Sequence, residues 1–399
     1  MKKIELLAPA GNLEKLKFAY LYGADACYIG GRDFSLRANA KNFSIEEIKE
    51  ACKYAHNLGK KVYVTVNIVF HNDDTNGITN YLKELAKIEV DAIIVSDPFI
   101  IDIINQNNIN LKVHISTQAS TINYETVMFW KSLGVERVVL AREASREEIK
   151  EIIDKTGMEI ETFVHGAMCS SYSGRCVLSN YFTNRDANRG GCAQICRWEF
   201  PLYDSNMNVI ESNTKFTASA KDLMMASNIE EMIETGICSL KVEGRMRSNY
   251  YIATVINTYR NMIDDYYDNK LTKNKLNRYI KILERVANRE ATVQFWDKTP
   301  GVEEQYYLGR NEISNQDFLG IVTDYDEKTK IVTITERNYF KTGDEVEIFG
   351  PNIETFSFTI PDIYNEEGEK VNIARHPEEI LKFKLDKKVY KNDIIRVKF

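Results

Sequence analysis

No stretch of this 399-residue chain approaches the ~18 consecutive apolar residues of a membrane span. Nor does the N-terminus offer a signal peptide. Glu5 and Pro9 interrupt its apolar run and Glu14 follows, where a leader needs ~7–15 uninterrupted apolar residues. These absences predict a cytoplasmic protein. Positive charge is not in excess: 52 Lys+Arg stand against 58 Asp+Glu, a net charge of −6. That excludes a protein gripping nucleic acid over its whole surface, but not one with a local basic patch. GxGxxG, GxSxG and HExxH are also missing, which removes the usual signs of a dinucleotide fold, a serine hydrolase and a zinc protease. Ser212 and Lys215 fit Ser-x-x-Lys, a pattern that arises readily by chance.

What is present is a repeated unit. β-branched runs at 4–7, 26–29, 61–66, 92–95, 112–115, 137–140, 159–164 and 239–242 alternate with amphipathic stretches of helical period. Asn12, Ser44 and Ser145 suit N-caps, Ser145 with Glu148 as a capping box, and Gly23, Gly59 and Gly134 suit C-terminal caps. Eight strands alternating with helices over ~250 residues predict a TIM-like (β/α)8 barrel. The barrel unit spans 1–295, with an insertion at about 166–238 after the seventh strand. A helical stretch from about 246 to 290 closes it. From 300 to 399 alternating runs and tight turns predict a small all-β, barrel-like domain, fit either for nucleic acid or for a lid or dimer role.

The strand ends turn polar: Asn67, Asp97, Ser116-Thr117-Gln118, Arg142-Glu143, His165, and Glu243 with Arg245. In a TIM barrel such ends converge on the catalytic face. His165 and Glu243 are the acid–base candidates. Arg142, Arg245 and Gln118 are the substrate-binding candidates, arginine being suited to carboxylates.

The long insertion holds Cys169, Cys176, Cys192 and Cys196, spaced Cys-x6-Cys-x15-Cys-x3-Cys. Four thiols in one loop select a soft metal centre. The spacing lacks paired Cys-x2-4-Cys knuckles, the Cys-x3-Cys-x2-Cys pattern and ferredoxin runs. Iron–sulfur, zinc and other thiol chemistry all remain open on spacing, iron–sulfur first. Arg175, Arg189 and Arg197 and Gly174, Gly190 and Gly191 suit an anionic cluster. Cys238, just before the eighth strand, reads first as a buried apolar residue and otherwise as a reserve for Cys196 as fourth ligand. Cys27 and Cys52 read as small buried hydrophobes.

Glu161-Thr-Phe-Val-His165-Gly-Ala-Met-Cys169, Ser173-Gly-Arg-Cys176-Val-Leu-Ser179 and Cys192-Ala-Gln-Ile-Cys196-Arg-Trp198 resemble the collagenase-like peptidase family U32. So do Leu7-Ala-Pro-Ala-Gly11, Ser116-Thr-Gln-Ala119, Asn184-Arg-Asp186, Lys221-Asp-Leu223, Lys241-Val-Glu-Gly-Arg-Met246 and Gly343-Asp-Glu-Val-Glu-Ile-Phe-Gly350. The resemblance spans essentially the whole chain and looks closest to the branch of tRNA hydroxylation proteins. It implies a [4Fe-4S] cluster on four cysteines and prephenate as co-substrate. The implied reaction is oxygen-independent hydroxylation of the tRNA wobble uridine to 5-hydroxyuridine. Ribosomal RNA or a quinone precursor is the substrate in other branches, and peptidase activity is the alternative the family name suggests. An RNA base would have to unstack to enter such a site, with Tyr172, Tyr181 and Trp198 available to stack on it.

Overall fold

The computed structural model describes residues 3–36, 42–210, 215–287, 289–306 and 316–398. Ser212 of the Ser-x-x-Lys pattern lies outside the described residues. Eight parallel strands form the first unit: β1 Glu5–Pro9, β2 Ala26–Gly30, β3 Lys61–Val66, β4 Ala92–Val95, β5 Val113–Ile115, β6 Arg137–Val139, β7 Glu159–Gly166 and β8 Ser239–Val242. Each pairs with its neighbour in order, and β8 pairs with both β7 and β1, so the barrel closes. This is the TIM-like barrel that the strand–helix alternation predicts.

Strand alternation divides the side chains between two cores. Leu6, Ala8, Ile29, Val64 and Val95 point outward into the main core beneath the helices. Leu7, Ala26, Tyr28, Tyr63, Ala92 and Ile94 form a separate, smaller cluster in the lumen. Cys27 and Cys52 are buried in the outer core, as expected of small hydrophobes.

The helices that cover the barrel are α1 Leu13–Leu21, α2 Ile45–Asn57, α3 Ile78–Ile88, α4 Pro98–Gln106, α5 Tyr124–Ser132 and α6 Arg146–Thr156. Local chemistry sets their starts. Asn12, Ser44 and Ser145 each accept a backbone N–H from the first turn, and Ser44 and Ser145 complete capping boxes with Glu47 and Glu148. After β7 the pattern breaks. The insertion carries two short helices, α7 Leu178–Thr183 and α8 Ile229–Glu234, in place of one long one. A short strand, Asp222–Met224, lies antiparallel on the end of β7, and Ala291–Thr292 lies parallel on it in turn. The insertion is thus held from a distance by the chain that follows the barrel.

After β8, α9 Asn249–Tyr267 and α10 Lys273–Val286 complete the helical layer. The C-terminal unit is an antiparallel all-β domain around its own core of Leu319, Val322, Ile334, Ile348, Phe383 and Ile395. It packs against α1, α9 and α10. The Tyr22 hydroxyl donates to the Asn392 carbonyl at 2.6 Å and its ring meets Phe349 at 5.8 Å. Tyr250 stacks on Phe318 at 4.9 Å, and Arg285 pairs with Asp317. Among the described residues, no helix is long and apolar enough to cross a membrane.

Candidate active site

At the C-terminal ends of the strands lies a cavity of about 170 Å³. Barrel residues form its floor: Tyr28, Thr65, Asn67, Ile94, Phe163, Lys241, Glu243 and Arg245, with Gln118 and Arg142 from the ends of β5 and β6. The insertion forms its roof, and all four clustered cysteines, Cys169, Cys176, Cys192 and Cys196, line it. The structure therefore joins Asn67, Ser116-Thr117-Gln118, Arg142, Glu243 and Arg245 with the cysteine loop in one chamber, while Asp97, Glu143 and His165 are not among its lining residues.

Specific contacts hold the roof down. Gly174 takes φ +75°, and a Cβ there would stand 2.1 Å from the Gln118 carbonyl oxygen, so only glycine lets the loop approach the end of β5. The buried Glu143 carboxylate accepts from both the Ser173 backbone N–H (3.0 Å) and its hydroxyl (3.2 Å). Asn188 donates from its side chain to the Cys176 carbonyl at 2.9 Å. Arg189 grips Asp74 with both guanidinium nitrogens and donates to the Val69 carbonyl at 2.7 Å, tying the loop to the segment after β3. That hydrogen-bonded guanidinium, aided by the His71 backbone N–H, lowers the Asp74 carboxyl to about 2.

Behind the cysteines sits a cluster of charge. Arg289 is buried and pairs with Asp222 at 2.6 Å, and Arg247 approaches the same carboxylate at 3.8 Å. Burial and then Arg289 hold the half-buried Arg197 guanidinium below its ordinary range, while Asp222 and the Cys196 and Cys169 sulfurs favour its charge. Four thiol side chains line the chamber together with Gly174 and Gly190, and Arg197 interacts with the Cys196 and Cys169 sulfurs, a donor set whose chemistry suits a thiolate-held anionic cluster. Among the described residues, no three His, Cys, Asp or Glu side chains gather on a single-ion site.

The other candidates divide. Arg142 lies over the Phe163 ring at 3.9 Å, donates to the Ala167 carbonyl at 2.7 Å and stands 3.8 Å from Glu243. The Glu243 carboxylate also faces the Tyr28 hydroxyl at 3.4 Å. Arg245 is buried and donates to the Ser35 hydroxyl (3.2 Å) and the Leu36 carbonyl, in room left by Gly30. It lines the chamber while also tying down the start of the loop after β2.

His165 is not part of the chamber. Pairing between β7 and β8 slips between Lys241 and Val242, so His165 registers with outward-facing Val242. Such a bulge re-aims the side chains beyond it. His165 is buried against Tyr251 and Tyr259 of α9, and burial, with Arg247 nearby, lowers it to about 3. It is a neutral packing residue at ordinary pH. Cys238 lies at the opposite end of the barrel. Its sulfur is 3.9 Å from Glu159 at the start of β7, and burial pushes its thiol up to about 12. A strand's length separates it from the loop cysteines, so it cannot join them as a ligand.

Lys241, which lies inside a strand and not at its end, is a further residue of the site. It lines the cavity, and its Nζ stands 2.9 Å from Glu161 and 4.6 Å from the Tyr28 ring centroid. The signal was available: Ser239, Lys241 and Glu243 alternate with Leu240 and Val242, which puts all three on the inward face.

Comparison with known proteins agrees with this architecture. The chain matches the model described as Peptidase family U32 over residues 11–306 and that described as Peptidase family U32 C-terminal domain over 314–396. It is 50% identical to tRNA hydroxylation protein P1 of Bacillus subtilis, covering 99% of this chain and 95% of that one. It is 34% identical to tRNA hydroxylation protein P of Escherichia coli, covering 94% and 92%. The 23S rRNA 5-hydroxycytidine C2501 synthase of Escherichia coli is 37% identical over 66% of this chain and 39% of its own length. On the match that runs through barrel, cysteine insertion and C-terminal domain, the chain belongs to peptidase family U32.

Proposed function

We propose that this protein hydroxylates RNA, and specifically the tRNA wobble uridine to 5-hydroxyuridine, with prephenate as co-substrate and a [4Fe-4S] cluster on Cys169, Cys176, Cys192 and Cys196. The observation that carries this reading is the single chamber shared by four cysteines and the charged strand ends. The relatives named for tRNA and rRNA hydroxylation support the substrate class. A cluster held there supplies one-electron redox chemistry when bound. The chain's own residues do the rest. Arg142 and Arg245 offer guanidinium groups to a dicarboxylate, with Gln118 beside them. Glu243 is the carboxylate placed to move a proton, between the Tyr28 hydroxyl and Arg142. Tyr172, Tyr181 and Trp198 are exposed on the insertion, where unstacked bases can rest on them.

The peptidase alternative finds less support. A cysteine or serine nucleophile needs a base within hydrogen-bond reach. None of the five histidines lines the chamber, so the described residues form no Cys–His or Ser–His pair there.

The test is nucleoside analysis of tRNA from a strain lacking this gene and any paralogue. Loss of 5-hydroxyuridine-derived nucleosides is expected. An unchanged level ends the tRNA assignment, and loss of hydroxycytidine from ribosomal RNA instead would move the activity to that substrate.

A further inference from the structure

The barrel lumen contains a feature that neither folding nor the cysteine loop explains. TIM-barrel interiors are ordinarily filled with branched apolar side chains. Here a chain of charge, partly exposed at Glu159 but buried at Arg137, Glu161 and Lys241, runs from the strand starts to the chamber. Glu5 and Glu159 meet Arg137 at 2.6 and 2.9 Å, Arg137 meets Glu161 at 3.1 Å, and Glu161 meets Lys241 at 2.9 Å. Buried ion pairs are a weak source of stability, and apolar replacements of similar volume are often neutral or better. Their presence here asks for another reason.

The end of the chain supplies one. Lys241 is 5% exposed and is one of the residues that line the chamber. An ammonium carries three donors, and among the described residues Lys241 has one hydrogen-bond acceptor, Glu161. That carboxylate is itself divided between Lys241 and Arg137. The Tyr28 and Phe163 rings flank the ammonium and fix its direction. Phe163 also carries Arg142 on its face, so two cations converge on one side of the chamber.

We propose that Lys241 Nζ on the chamber floor binds a carboxylate of the small dicarboxylate co-substrate, with Glu161 as the residue that positions it. The assignment rests on the function proposed above and adds the contact that fixes the co-substrate's depth. A chamber of about 170 Å³ beneath the cysteine roof accommodates a small carboxylate and excludes a sugar–phosphate backbone from its floor. The ligand of Lys241 is therefore the co-substrate and not an RNA phosphate.

Titration calorimetry with prephenate on the anaerobically prepared full-length protein tests this. Lys241→Met alone strips Glu161 of a partner, so the charge-balanced pair Lys241→Met with Glu161→Gln is the main variant and Lys241→Arg the conservative one. The double variant should bind prephenate at least tenfold more weakly, and Lys241→Arg should stay within a few-fold of wild type. Iron content and visible absorption should match wild type in both, a result that loss of fold could not give. Prephenate affinity within twofold of wild type in the folded double variant would overturn the proposal, as would weakened tRNA binding with prephenate binding intact. Malonate serves as a second probe. If the wild type binds malonate but not prephenate, and the double variant loses malonate, Lys241 stands as a carboxylate site and the prephenate reading falls. A wild type that binds neither overturns both.

Discussion

Single residues decide which side chains reach the chamber and which do not. His165 stands four positions before Cys169 and reads from sequence as an acid or base. One slipped pair between β7 and β8 turns it toward α9 instead. No local pattern announces that bulge, since the residues on either side of it keep a strand-like sequence. The consequence is measurable. A histidine held at about 3 in the fold and near 6.5 when unfolded is neutral in the native state across the range between. The unfolded chain then binds more protons, so the stabilisation is complete above pH 6.5 and is lost as pH falls toward 3. Between pH 7 and 5, His165 should cost the wild type about 2 kcal/mol of unfolding free energy. Urea titrations at the two pH values should find that increment absent from a folded His165→Phe variant. Gly174 is a second decisive residue. Gly174→Ala forces a Cβ into the Gln118 carbonyl and a positive φ on alanine, costing on the order of 1–2 kcal/mol locally. Activity and iron retention should fall sharply while the melting temperature of the barrel moves little.

The elements of the barrel were legible in the sequence because each is set locally. All eight strands fall where β-branched runs stand, and Asn12, Ser44 and Ser145 cap the helices that follow them. The insertion was legible as an insertion but not as a structure. Its anchors are Asp74, Glu143, Gln118 and the strand at Ala291–Thr292, all remote in sequence. Lys241 was less legible for a different reason: it stands inside β8, two positions before the polar strand end at Glu243. The Arg189–Asp74 clamp gives an element-scale prediction. Asp74→Asn should speed hydrogen exchange and proteolysis in 185–198, at a cost to global stability of only ~0.2–1 kcal/mol, because the pair is partly exposed. With Asp74 lowered to about 2, the clamp should hold at every pH above about 4 and release only as pH falls through 2. Protection in this segment that is unchanged in Asp74→Asn would remove the clamp from the account.

At the scale of the whole molecule, the two units share an interface on the flank of the barrel, away from the chamber. Tyr22 is 1% exposed and joins them through both its ring and its hydroxyl. The intact chain should therefore melt in one cooperative transition. Tyr22→Ala should cost about 3–5 kcal/mol, as buried aromatic truncations do, and split the calorimetric trace in two. A single unshifted transition in that variant would mean that the units do not depend on this contact. The central claim concerns the other side of the molecule, where one loop brings four cysteines over the charged strand ends. Complementation tests it most directly. A strain lacking the gene and any paralogue is supplied with wild type or with Cys176→Ala, and its tRNA is analysed for 5-hydroxyuridine-derived nucleosides. The account predicts that wild type restores them and that Cys176→Ala, expressed and folded to the same level, does not. Full restoration by Cys176→Ala would contradict it.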